Sequence, residues 1–106
     1  MPIVVELWAH DGTVVRRTPD RSGGTYDAAG DFDRLLDDDS YRAFSQVDPY
    51  GVTTLGSAAM PALLADISAA LAEAKPGAET RGLLRLRDLA ERCRDDSDLR
   101  LVFLGD

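Results

Sequence analysis

The 106 residues carry 12 basic and 19 acidic side chains, a net charge of −7, and 44% are apolar, enough for one core and one globular domain over residues 1–106. That charge disfavours a grip on nucleic-acid phosphate or an anionic bilayer, no run approaches the roughly 18 apolar residues of a membrane span, and the apolar start, with Glu6 and no basic run before it, does not read as a signal peptide. A lone Cys93 excludes an internal disulfide and a thiolate-rich metal site, so a cytoplasmic protein without nucleic-acid or membrane partners is expected.

Residues 3–8 are β-branched and aromatic, with Ile3, Val5 and Leu7 on one face and Val4, Glu6 and Trp8 on the other, the alternation of a strand. Asp11-Gly12 then reads as a hairpin turn into a second strand over residues 13–17. Arg16 and Arg17, projecting to both faces, and Pro19 mark that strand as an edge. A loop rich in Ser and Gly follows, over residues 18–26. Asp31 can cap a short helix with Phe32, Leu35 and Leu36 at i, i+3 and i+4, ended by Asp37-Asp38-Asp39, whose carboxylates oppose the helix dipole at its C-terminus. Ser40 can cap a second short turn in which Tyr41, Phe44 and Val47 recur every three residues. It stops at Asp48-Pro49-Tyr50-Gly51, where Pro49 fits the first central position of a β-turn.

Residues 52–55 suit a brief extended piece. A third helix is expected from somewhere between Ser57 and Pro61 to about Lys75, with Leu63, Leu64, Ile67, Leu71 and Ala74 turned inward. Pro76-Gly77 stops it. A fourth runs from about Ala78 to Arg94 and buries Leu83, Leu86, Leu89, Ala90 and Cys93. The almost wholly apolar run 99–104 is expected to be a central strand beside the first, so any homodimer would form through helices or the hairpin edge. The fold class is α+β: a small sheet, made of the N-terminal hairpin plus the C-terminal strand, with about four helices packed on it.

Eleven of the twelve basic residues are Arg, with Lys75 the exception, and Asp outnumbers Glu by 15 to 4. Because Arg codons are largely GC-rich and Lys codons AT-rich, this bias reads as a high-GC bacterial genome, and the arginines are not each chosen for anion binding. Arg81, Arg85 and Arg92 share one face of the fourth helix with Asp88 among them, the spacing of a salt-bridged exposed face. His10 sits at a turn, with no partner for metal or triad chemistry implied by its neighbours. Gly23-Gly24 lacks the Lys-Ser/Thr of a phosphate loop, and Asp31-Phe32-Asp33 lacks the Gly and Glu of a calcium loop. No catalytic, cofactor-binding or metal-binding residue is assigned, and no enzyme activity is expected.

The charge is concentrated. Residues 27–56 hold Asp27, Asp31, Asp33, Asp37, Asp38, Asp39 and Asp48 against only Arg34 and Arg42. Capping and turn aspartates account for such a pattern, and so does an acidic face that steers a basic protein partner into contact. Tyr50, an aromatic beside aspartates, suits that second use. The candidate partner-binding residues are Asp31, Asp33, Asp37, Asp38, Asp39, Asp48 and Tyr50. The rival arrangement is a pocket for a small molecule or anion, or for an enzymatic substrate, lined by Tyr26, Asp31, Asp48 and Tyr50.

Taken together, the stretch Val47-Asp48-Pro49-Tyr50-Gly51-Val52-Thr53-Thr54, Tyr26, Gly30-Asp31-Phe32-Asp33 and the terminal Gly105-Asp106 resemble small acidic bacterial proteins. In size, acidity and element order over most of the chain, the sequence is similar in outline to compact immunity proteins that bind and block a toxin. The resemblance implies a protein-binding module and assigns no residue a role.

Overall fold

The computed structural model describes residues 4–18, 35, 40–48 and 50–104. Strand β1 (Val4–Trp8) turns back into β2 (Val14–Thr18), as the Asp-Gly pair requires: Gly12 takes φ +90°, and Ala9 donates its N–H to Thr13 O at 2.8 Å. The Asp11 carboxylate accepts the Thr13 N–H at 2.9 Å, and the Thr13 side chain, seconded by that N–H, holds the Asp11 carboxyl below its ordinary range.

The expected extended piece at residues 52–55 is a full strand, β3 (Val52–Gly56), so the sheet is not the hairpin plus one strand. Among the described residues four strands lie in the order β2-β1-β4-β3, every neighbouring pair antiparallel, with β4 (Arg100–Leu104) in the interior. The sequence concealed this because Thr53-Thr54 and Gly56 dilute the apolar signal, and β3 alternates only between exposed and half-buried positions. Among the described residues β2 is an edge, as its arginines and following proline predict.

The expectation of about four helices is also corrected. Among the described residues there are two α-helices, α1 (Met60–Glu73) and α2 (Ala78–Asp95). The short turn after Ser40 is a single 3-10 turn at Phe44–Gln46, and another precedes α1 at Ser57–Ala59. A three-residue repeat of apolar side chains is the period of a 3-10 helix, and Tyr41, Phe44 and Val47 are all buried, with the Tyr41 and Phe44 rings edge to face at 6.1 Å. The helix expected after Asp31 lies outside the described residues except for Leu35, which is fully buried.

Pro61 falls in the first turn of α1, where its missing N–H breaks no bond. The helix buries Met60, Leu63, Ile67 and Ala70, while Leu64, Leu71 and Ala74 pack at the margin. Gly77, at φ +149° and ψ −156°, takes a conformation closed to other residues and swings the chain into α2. All five positions expected to be buried on α2 are buried. Glu79 in its first turn and Arg92 and Arg94 in its last complement the dipole.

Val5, Leu7, Leu101 and Phe103 alternate onto the helix-facing side of the sheet and join Leu35, Phe44, Met60, Leu63, Ile67, Leu83, Leu86, Leu89 and Cys93 in one cluster. The intervening residues Glu6 and Val102 are cross-strand partners on the opposite face, and both are almost fully buried there. The Trp8 indole N–H donates to Glu6 Oε1 at 2.7 Å, giving that buried side chain a hydrogen-bond partner.

Candidate functional site

Of the candidate residues, the structure describes Asp48 and Tyr50. Asp31, Asp33, Asp37, Asp38 and Asp39, together with Tyr26 of the pocket alternative, lie outside the described residues. Asp48 and Tyr50 are both solvent-exposed, Tyr50 by 79%.

That exposure is held by a stiff piece of backbone. The Gly51 N–H donates to Asp48 O at 3.3 Å, closing the expected β-turn. Within it the Asp48 carboxylate accepts the Tyr50 N–H at 2.8 Å, a side-chain mimic of a turn that fixes residue 50 relative to residue 48. The Asp48 N–H in turn donates to Thr53 Oγ1 at 2.9 Å, tying the turn to the start of β3. A Cβ at Gly51 would stand 2.7 Å from Asp48 Oδ2, so a larger residue there would displace the carboxylate. The backbone of Tyr50 is therefore held against the Asp48 carboxylate, and its ring projects into solvent from that turn. Thr53, five residues after Asp48, carries no local signal of this role, because the bond depends on where β3 begins.

The turn is anchored from behind as well. Val47, immediately before it, is buried in the core, and the 3-10 turn at Phe44 is capped by Asp66 of α1, whose Oδ2 accepts the Ala43 N–H at 2.7 Å and the Phe44 N–H at 3.2 Å. Tyr41 adds a longer bond from its hydroxyl to Glu73 Oε2 at 3.4 Å.

The other sequence candidates take structural places. His10 is exposed at the hairpin turn, with Nδ1 3.4 Å from Nη2 of Arg100. Cys93 is buried, its Sγ donating to Leu99 O at 3.5 Å, and burial pushes its thiol pKa up, away from nucleophilic use. Asp88 pairs with Arg92 at 3.3 Å on α2, as the spacing predicts, but Arg85, expected on the same exposed face, is half-buried. Among the described residues no group of three or more His, Cys, Asp or Glu is placed to hold a metal ion, and no helix is long and apolar enough to cross a membrane. No family model matches the chain, and no curated protein or solved structure matches it.

Proposed function

We propose that this chain is a non-enzymatic protein-binding module of the cytoplasm, of the immunity type, that engages a basic partner through the Asp48–Tyr50 turn and the aspartates that precede it in sequence. The observation carrying this reading is the Tyr50 ring, 79% exposed on a turn fixed by its own Asp48 carboxylate. Exposing a large ring on a preorganised turn gives nothing back to folding, whereas at an interface a rigid aromatic contributes desolvated contact at little entropic cost. The excess of Asp over Arg across residues 27–56 supplies the steering field.

The experiment is affinity capture from the native host with the wild-type chain and, in parallel, with Tyr50→Ala. Support requires a protein of basic surface that the wild-type chain retains, that Tyr50→Ala releases faster, and that elutes as salt rises. A retained protein indifferent to both changes would place the contact elsewhere and remove the basis for this reading.

A further inference from the structure

The two edges of the sheet differ. β2 carries Arg16 and Arg17, and its register with β1 shifts between Leu7 and Trp8, both devices that blunt an edge against further pairing. β3 has neither. It is five residues of Val, Thr, Leu and Gly in unbroken register with β4, and among the described residues no strand pairs on its far side. Val52 is 67% exposed, and Thr54 and Gly56 are exposed beside it.

The charge layout says what can lie there. Residues 49–65, with β3 in their middle, carry no charged side chain, the longest such run in a chain that is 29% charged. A basic partner would find no carboxylate on this strand. A second copy of an acidic chain, repelled by a net charge of −7 elsewhere, finds here the one long segment where two chains can approach without apposing carboxylates. The strand is also self-complementary. Antiparallel pairing about a two-fold axis at Thr54 places Thr54 opposite Thr54 of the second copy and Val52 opposite Gly56, so that all five residues pair and each exposed Val52 covers a bare glycine.

We propose that β3 is the dimerisation edge of this protein, joining two four-stranded sheets into one of eight strands through antiparallel β3–β3 pairing centred on Thr54. This proposal goes beyond the protein-binding reading and does not depend on it: a basic partner is recruited by carboxylates, the second copy by their absence. The salt dependences are therefore opposite. Screening the like net charge tightens the dimer, whereas it weakens a contact with a basic protein.

Analytical ultracentrifugation of the full chain from about 1 μM to 1 mM tests this, at low and at high salt. The weight-average mass should climb from 11.5 kDa toward twice that value, at lower concentration when salt is high. Thr54→Lys apposes two ammonium groups at the axis and should weaken the dimer about fivefold, a repulsion of the size that a directly opposed pair of opposite charges gains across two strands. Mixing Thr54→Lys with Thr54→Glu should restore a heterodimer, since the axis then joins opposite charges. Thr54→Cys, with Cys93 buried, should oxidise to a covalent dimer because antiparallel partners stand within disulfide reach, while Val15→Cys on the other edge should not. A chain that stays monomeric at every concentration and salt overturns the proposal. So does a dimer unaffected by Thr54→Lys, or one that crosslinks at residue 15 and not at residue 54.

Discussion

Asp66 caps a turn 23 residues earlier in the chain, its Oδ2 accepting the Ala43 N–H at 2.7 Å. The bond, with its partner from Phe44 at 3.2 Å, joins α1 to the segment that leads into the Asp48–Tyr50 turn. Asp66→Ala should cost about 1–3 kcal/mol, because it leaves two turn donors without their charged acceptor. Asp66→Asn, which keeps a carbonyl oxygen, should recover part of that loss. Asp88→Ala, which breaks only an exposed pair, should stay within about 0.5 kcal/mol. Urea unfolding followed by circular dichroism measures all three.

Core truncation should separate just as clearly from surface truncation. Leu101 and Ile67 are fully buried, so Leu101→Ala or Ile67→Ala should cost about 2–5 kcal/mol. His10→Ala and Arg87→Ala, at exposed positions, should fall within about 0.5 kcal/mol. Equal losses in the two pairs, measured by the same unfolding curves, would contradict the placement of the core.

The sequence made most of this core legible. Both long helices and the interior strand β4 were visible because a strong apolar period or an unbroken apolar run marks each of them, and the hairpin was visible from Asp11-Gly12. β3 was only half visible, since Thr and Gly in an edge strand carry little burial signal and its register is set by β4, far away in the chain. The short turn at Phe44 was legible in the three-residue repeat of Tyr41, Phe44 and Val47, whereas its cap was not, because Asp66 lies on another element. At the candidate site the β-turn was legible from Pro49-Tyr50-Gly51, while the bond from Asp48 to Thr53 needed the fold.

Cys93 gives a pH dependence with a definite sign. Burial raises its thiol pKa above the ordinary 9.0, so in alkali the unfolded chain ionises before the folded one. The stability linked to this group is complete below about pH 9 and is lost as pH rises through the raised value. Relative to Cys93→Ala, the wild-type chain should therefore lose stability progressively above about pH 9, as read by thermal unfolding across that range. Near neutral pH the thiol should resist a thiol reagent until denaturant is added.

Gly51→Ala tests the turn itself. The new Cβ would meet Asp48 Oδ2, so the carboxylate must swing away and release the Tyr50 N–H. The fold should survive, with a loss of about 0.5–1.5 kcal/mol for the surface hydrogen bond. Partner dissociation should quicken as it does for Tyr50→Ala, although the ring is untouched. Amide exchange at residue 50 should also accelerate.

The central claim is that Tyr50 anchors a protein contact which the aspartates steer, and rate constants for a captured basic partner test it most directly. Surface-immobilised wild-type chain, Tyr50→Ala, and the triple variant Asp37→Asn, Asp38→Asn, Asp39→Asn should be compared across ionic strength. Tyr50→Ala should raise the dissociation rate about tenfold or more with little dependence on salt. The triple variant should slow association, and its deficit should vanish as the screening length falls below about 8 Å. Unchanged rates in both variants would contradict the account and leave the acidic stretch a solvated surface.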